Sequence, residues 1–385
     1  MKIFNTLFFS VYLLTMPLLA SENSLTLFVY PPQKELNWNS PKTVLNDFLG
    51  ITVLKSLFPG QTIEASNPDG ETSEINQYYK STMGHTIAHV SCTDSNGEKY
   101  DTWSSFSGQD FAEVDKKNIF VDKIGLGVLF YDYFDGHIIQ GEENIKRLVY
   151  YRAAKRDGEK TRPRYLQVPV DAAKCDALKD FVTFFEGFKH KKEISVEELM
   201  ALPDESKLYF TTNIDPYESY LARKVDPKAR VGGGCAPYGV ALLKVIGKYD
   251  YYFDYIWKLN IVVSENKLGK TNPVNILNVI LGSLGNHWAD KGYPTRTMSQ
   301  YDPDLMWKFI GDVIKCQENN AKNCSIPVTP WFAKNSGRAE KGETIKLSDT
   351  RKIVWTETDE ETNQDVEKEV LKTRTQEIEG IILHK

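Results

Sequence analysis

The chain has 385 residues, of which 41% are hydrophobic and 12% are aromatic, enough apolar material for one large domain or two smaller ones. Its 47 basic and 52 acidic residues leave a formal net charge of −5. This balance gives no electrostatic reason to expect nucleic acid or an anionic membrane surface as a partner.

Residues 1–20 are typical of a secretory signal peptide. Lys2 supplies the positive charge, residues 7–19 are mostly apolar, and Ala20 precedes a candidate cleavage point. The apolar run is short for a transmembrane helix, and no later stretch approaches the length that is needed to span a bilayer. We therefore expect a periplasmic or secreted protein with no transmembrane segment after cleavage.

The rest of the chain predicts an α+β protein, because short apolar or alternating runs are interspersed with runs of helical period. The predicted strands are 25–30, 84–92, 99–106, 127–133, 164–170 and 208–212, and the predicted helices are 42–57, 171–188, one that starts at residue 235 and ends near residue 247, and 304–316. Asn96-Gly97 predicts a hairpin turn between the second and third strands. We expect a domain over 21–300 and a C-terminal extension over 301–385, made of a helix and a candidate β-hairpin.

Cysteine usage suggests disulfides and one unpaired thiol. The five cysteines are Cys92, Cys175, Cys235, Cys316 and Cys324. In an oxidising compartment an even set pairs, and an odd cysteine is reactive or intermolecular. Cys316 and Cys324 are close enough in sequence to close a short loop, and Cys92 with Cys175 is the candidate second pair. Buried thiols are the alternative for these four. If both pairs form, Cys235 is left over.

Cys235 also has the most informative surroundings. Three glycines at 232–234 precede it, and an apolar run with helical spacing follows it. We expect a tight turn that places the sulfur at a helix N-terminus, where N–H groups and the helix dipole favour thiolate over thiol. The glycines lack the Lys-Ser/Thr of a phosphate loop and do not fit a dinucleotide fingerprint. We therefore predict no cofactor.

A cysteine nucleophile needs an imidazole as its base. His85 follows Gly84 at the start of a predicted strand, where a side chain can face a cleft. His89 shares the same strand face and is a second candidate, although a hydrogen-bonded core histidine is an equally good interpretation. A metal pair at this spacing requires a helix, whereas the intervening Thr-Ile-Ala indicates a strand. We therefore predict no metal site.

The order of these elements resembles the circularly permuted papain-like superfamily. A Gly-His strand hairpin comes first, a strand–helix unit at 164–188 follows, and another strand precedes Cys235 at the start of a helix. This superfamily includes permuted NlpC/P60-type enzymes and the lecithin:retinol acyltransferase-like proteins. The resemblance covers roughly residues 75–250. It implies an α+β fold in which an antiparallel sheet packs against helices.

The resemblance also implies site residues. Cys235 matches the nucleophile and His85 the base, and the backbone N–H of Cys235 matches the oxyanion donor. A third polar residue on the neighbouring strand usually orients the histidine. A turn at Asn96-Gly97 puts position 107 or 108 opposite His85, so Ser107 is the nearest candidate, with Gln109 and Asp110 behind it.

We expect an exported cysteine hydrolase that cleaves an amide through an acyl-enzyme on Cys235. The implied substrate is a peptidoglycan stem peptide or another cell-envelope peptide. Many members of the superfamily have Asn where this chain has Gly234, which keeps a non-catalytic envelope-binding protein open as an alternative. A lipid acyl hydrolase or acyltransferase is another, and the apolar segment 277–284 is its candidate docking element, although a buried position suits that segment better. The sequence does not predict the oligomeric state.

Overall fold

The computed structural model describes residues 23–32, 35–47, 84–108, 121–130, 136–151, 155–156, 159–188, 196–211, 213–269, 272–319, 324–325, 327–358 and 365–384. The predicted signal peptide, the predicted helix beyond residue 47, and Gln109 and Asp110 lie outside these residues. So do residues 131–133 of the predicted fourth strand.

The strands, in chain order, are β1 (Ser24–Tyr30), β2 (His85–Thr93), β3 (Lys99–Gly108), β4 (Gly136–Gln140), β5 (Lys155–Arg156), β6 (Glu159–Lys160), β7 (Arg164–Pro169), β8 (Leu208–Phe210), β9 (Val231–Gly233), β10 (Lys258–Ser264), β11 (Thr295–Tyr301), β12 (Ala339–Lys341), β13 (Ile345–Thr358) and β14 (Asp365–Leu383). The helices are α1 (Glu142–Val149), α2 (Ala172–Glu186), α3 (Val196–Ala201), α4 (Pro216–Val225), α5 (Cys235–Val245), α6 (Tyr252–Ile256), α7 (Ile276–Ile280), α8 (Pro303–Glu318) and α9 (Thr329–Asn335). A further helical segment covers residues 41–47.

Eight of the strands form one sheet in the order β12-β14-β7-β1-β2-β3-β4, with β13 paired to β14. Most neighbours are antiparallel, but β14 runs parallel to β7. The α+β class is therefore confirmed, whereas the expectation of an antiparallel sheet is wrong at this pair. The parallel pair arises because β14 enters the sheet after the long connection through α8 and α9, and a connection of that length permits either direction.

Strand β1 lies at the centre of the sheet and is buried throughout. Leu25, Leu27 and Val29 belong to the largest apolar cluster of the protein, whereas Phe28 and Tyr30 belong to a second cluster. Because successive side chains of a strand point to opposite faces, the two clusters lie on opposite sides of the sheet. The continuous apolar run at 25–30 is the sequence signal of this two-sided burial.

Three helices cover the face of the largest cluster. Helices α2 and α5 pack on β2 and β3, and α8 packs on β1, β7 and the C-terminal strands. Asp171 caps α2 by accepting a hydrogen bond from the Lys174 amide, as its position in the sequence predicts. Helix α1 packs against β3 and β13 and covers the other face.

Both candidate disulfides are present. Cys92 of β2 is joined to Cys175 of α2, with 5.9 Å between their Cα atoms. Cys316 of α8 is joined to Cys324, with 4.9 Å between their Cα atoms. These bonds fit an oxidising compartment.

The residues after 300 are part of the main sheet. Strands β12 and β14 extend it beyond β7, and Ile381 and Leu383 are buried in the largest cluster. The predicted hairpin exists as β13 and β14, and the last residues of β14, from Glu379 to Leu383, continue from the hairpin into the sheet. The apolar positions of this C-terminal part complete the common core.

A smaller apolar core lies beside the hairpin of β10 and β11. Two segments that contribute to this core differ from the sequence prediction. Residues 125–129 form a 3-10 helix instead of a strand, because Gly125 has φ +52° and Leu126 and Leu129 are buried in this core. In the segment 277–284, Leu277 and Leu281 are exposed, although burial is the expectation from its composition.

No helix in the described part of the chain combines the length and the apolar content needed to cross a bilayer.

Candidate functional site

Two of the three glycines before Cys235 belong to a strand, whereas their sequence predicts a tight turn. Val231–Gly233 is β9, which pairs in parallel with β8. A Cβ atom on Gly232 would lie 2.7 Å from the Tyr209 carbonyl oxygen, so glycine is required there for close approach of the two strands. Gly234 is extended and caps α5, which makes Cys235 the first helical residue, as predicted.

Cys235 is the free cysteine among the five, all of which lie in described segments. The residue as a whole is partly exposed, whereas its sulfur is shielded from water. The backbone N–H groups of Thr86, Ala236 and Cys235 itself lie near enough to its sulfur to lower the pKa of the thiol. Two of these donors belong to the first turn of α5, where N–H groups have no partner within the helix.

Burial outweighs these donors in setting the ionisation of the thiol. Desolvation is the largest effect, the negative charge of Asp302 acts in the same direction, and the pKa of Cys235 is raised to about 11. The helix N-terminus therefore does not hold the sulfur as a thiolate, which corrects the expectation from the sequence. At neutral pH Cys235 is a thiol and needs a base to react.

His85 and helix α5 lie on opposite faces of β2. The Thr86 side chain points toward α5 and α8, since its Cγ2 is 2.8 Å from the Cβ position of Gly239 and its hydroxyl is 4.0 Å from the sulfur of Met306. The neighbouring His85 points the other way and packs on Tyr30, with 5.6 Å between the ring centroids. Among the described residues, no hydrogen bond joins His85 to Cys235.

The thiol and the imidazole nevertheless flank the same short stretch of β2. In the hairpin, β2 pairs with β3 from Ala88 onward, whereas residues 85–87 are paired with β1. The Thr86 amide, which lies near the Cys235 sulfur, belongs to this stretch, and His85 is its neighbour in the chain.

A buried chain of hydrogen bonds holds the His85 ring. Its Nε2 atom is 3.3 Å from the Ser105 hydroxyl, and that hydroxyl donates to Oδ1 of Asn144 at 2.6 Å. The Asn144 amide in turn donates to the Ile139 carbonyl at 2.8 Å. Ser105 and Asn144 are completely buried between the sheet and α1.

Ser107, the third residue predicted from the sequence, does not contact His85. The predicted register is correct, because the pairing of Ala88 with Ser104, continued along the strands, places Ser107 level with His85. The Ser107 hydroxyl instead donates to the Gly108 carbonyl at 3.2 Å. The imidazole reaches diagonally to Ser105, which alternation places on the same face. The diagonal position of Ser105 relative to His85 follows from the strand register that the sequence predicts, whereas the contact with Asn144 depends on tertiary packing.

Burial also keeps the His85 ring neutral. Desolvation, followed by the charge of Arg147 and then that of His137, holds the pKa of His85 well below 6.5. A neutral imidazole has one nitrogen that carries a proton and one that accepts. His85 is therefore in the protonation state that a general base needs at neutral pH.

His89, the second histidine candidate, has a structural role. Its ring stacks on Trp103 with 4.3 Å between centroids, and its Nε2 is 3.2 Å from the Asp101 carboxylate. These contacts match the interpretation of a hydrogen-bonded core histidine.

A cavity of about 430 Å³ opens next to the start of α8. Its wall includes Trp38, Glu35 and Lys308, together with Asp302, the carboxylate that acts on the Cys235 thiol. Asp302 caps α8 by accepting a hydrogen bond from the Asp304 amide at 2.7 Å. Asp302 therefore lies in the wall of this cavity and is also near enough to Cys235 for its charge to act on the thiol.

In the described residues, no group of three or more His, Cys, Asp or Glu side chains is arranged to hold a metal ion. A comparison of the chain with known protein families, with curated proteins and with solved structures finds no match in any of the three.

Proposed function

We propose that the protein is an exported cysteine hydrolase that cleaves an amide bond, with Cys235 as nucleophile and His85 as base. The observation that carries the proposal is the closeness of the Thr86 amide to the sulfur of the unpaired cysteine. Thr86 directly follows His85 in β2, so the thiol and the imidazole are separated by the thickness of this strand. The order of histidine and cysteine along the chain also resembles that in permuted papain-like enzymes.

The reaction requires a transient approach of the imidazole to the sulfur. His85 takes the thiol proton as sulfur attacks the amide carbonyl, and it then protonates the leaving amine. Water hydrolyses the acyl-enzyme and restores the thiol. The N–H groups of Cys235 and Ala236 are the donors available to the oxyanion, because a carbonyl oxygen next to the sulfur meets the same end of α5.

Cell-envelope peptides are the substrate class that we propose, because the predicted signal peptide and the disulfides both suit an exported protein. The test is incubation with purified peptidoglycan stem peptides, followed by mass spectrometry of the new amine and carboxylate ends. We expect cleavage by the wild type and none by Cys235→Ala.

The control separates the two histidines of β2. His85→Gln removes the base and is expected to lower the cleavage rate at least roughly a hundredfold. His89→Gln removes a buried imidazole of the same strand and is expected to retain activity in the folded fraction. Cleavage that persists in Cys235→Ala would refute the proposed function.

A further inference from the structure

We infer that Asn144, on helix α1, is a positioning residue that fixes the tautomer of His85 through Ser105. The inference concerns the proposed base and therefore rests on the proposed function. It assigns a role to a helix on the opposite side of the sheet from Cys235.

The hydrogen bonds determine which atoms donate. The Asn144 amide nitrogen donates to the Ile139 carbonyl, so Oδ1 is the atom that faces Ser105. Because Oδ1 can only accept a hydrogen bond, the Ser105 hydroxyl donates its single proton to Asn144. The Ser105 oxygen is then an acceptor toward His85.

The imidazole must supply the remaining proton. Nε2 of His85 faces the Ser105 oxygen at 3.3 Å, so Nε2 carries the hydrogen and Nδ1 is the accepting nitrogen. None of the described residues forms a hydrogen bond with Nδ1. In the neutral ring, Nδ1 is thus the accepting nitrogen, and the proposed function requires it to be the atom that takes the proton of Cys235.

Because the site is buried, the reversed arrangement of these hydrogen bonds is energetically unfavourable. Ser105 and Asn144 are completely buried, and His85 is 6% exposed. Reversal of the Ser105 hydroxyl would point two bare acceptors, its own oxygen and Oδ1 of Asn144, at each other, which is costly without water. Without Asn144 the hydroxyl can rotate and donate to Nε2, and the proton of the ring then moves to Nδ1.

The test is the ¹⁵N spectrum of the imidazoles in the full-length protein at pH 7.5, with the His85 signals assigned by their loss in His85→Gln. We expect a protonated Nε2 and a bare Nδ1 in the wild type. In Asn144→Ala, we expect a shift toward the Nδ1-protonated form and a fall in kcat of at least roughly tenfold, with KM little changed. Ser105→Thr keeps the hydroxyl and is expected to preserve the wild-type tautomer.

Ser107→Ala is the matched control, since Ser107 lies on the same strand face and bonds to a backbone carbonyl. It is expected to leave both the spectrum and kcat unchanged. A wild-type ring protonated on Nδ1, or equal spectra for Asn144→Ala and Ser107→Ala, would overturn the inference. Cleavage that survives Cys235→Ala, with the expected tautomer present, would instead refute the proposed function alone.

Discussion

At the scale of single residues, Cys235 illustrates a competition between two environments. Its position at the start of α5 gives its sulfur two helix N–H donors, and Thr86 adds a third. Removal of the sulfur from water has the larger effect and keeps the thiol protonated. A sequence motif reports the helix terminus but not the depth of burial. For this reason the predicted position of the cysteine is correct and its predicted ionisation is wrong.

Substitution of Asp302 should change the pKa of the Cys235 thiol while the cysteine itself stays in place. Asp302→Asn removes a negative charge that raises the pKa of Cys235, and asparagine still caps a helix well. The thiol pKa should therefore fall, and alkylation of Cys235 by iodoacetamide at pH 8 should become about two- to fivefold faster. Asp304→Asn, at the same helix end, is the control. An unchanged or slower rate in Asp302→Asn would contradict this account of the thiol.

At the scale of secondary-structure elements, the two disulfides differ in what they constrain. Cys92–Cys175 ties β2 to α2 across 83 positions, whereas Cys316–Cys324 spans 8. Loop-closure entropy predicts a loss of about 4.5 kcal/mol for the first pair and about 2.5 kcal/mol for the second when both cysteines become alanine. Urea denaturation measures both free energies of unfolding. Equal losses, or a larger loss for Cys316–Cys324, would contradict the prediction.

Local sequence signals explain how much of these elements could be predicted. Asn96-Gly97 sets the register of β2 and β3, and Asp171 marks the start of α2. Residues 125–129 are apolar without alternation, and their conformation depends on Gly125 and on a core from distant segments. The same distinction applies to the site. Cys235 and His85 can be identified from their local sequence, whereas the hydrogen bonds that join Ser105 and Asn144 form only when the sheet and α1 pack together.

At the scale of the whole molecule, one sheet joins the two ends of the described chain. Strand β1 lies between β2 and β7, and β14 lies on the other side of β7. The same sheet carries His85 on one face and α5 on the other. The relative placement of thiol and base therefore depends on segments that are far apart in the sequence.

Removal of residues 339–385 should consequently destroy the fold. The deletion exposes the edge of β7 and removes the buried side chains of Ile378, Ile381 and Leu383, each worth about 2 kcal/mol of burial. This loss is comparable to the stability of a whole domain. We expect no cooperative thermal transition by circular dichroism.

A shortened hairpin is the control for this deletion. Replacement of residues 353–370 by Asn-Gly leaves Lys352 and Leu371, which are register partners, to close a tight turn. This variant retains β12 and the sheet-forming part of β14 and should unfold cooperatively. A full deletion that melts like the intact protein would show that the C-terminal strands are dispensable.

Proton transfer from Cys235 to His85 is tested by the rate of Cys235 alkylation by chloroacetamide at pH 7, followed by intact mass. We expect His85→Gln to react at least roughly tenfold more slowly than the wild type. We expect His89→Gln to react at the wild-type rate, and all three proteins to react equally in urea. Equal rates for wild type and His85→Gln in the folded state would contradict this proton transfer.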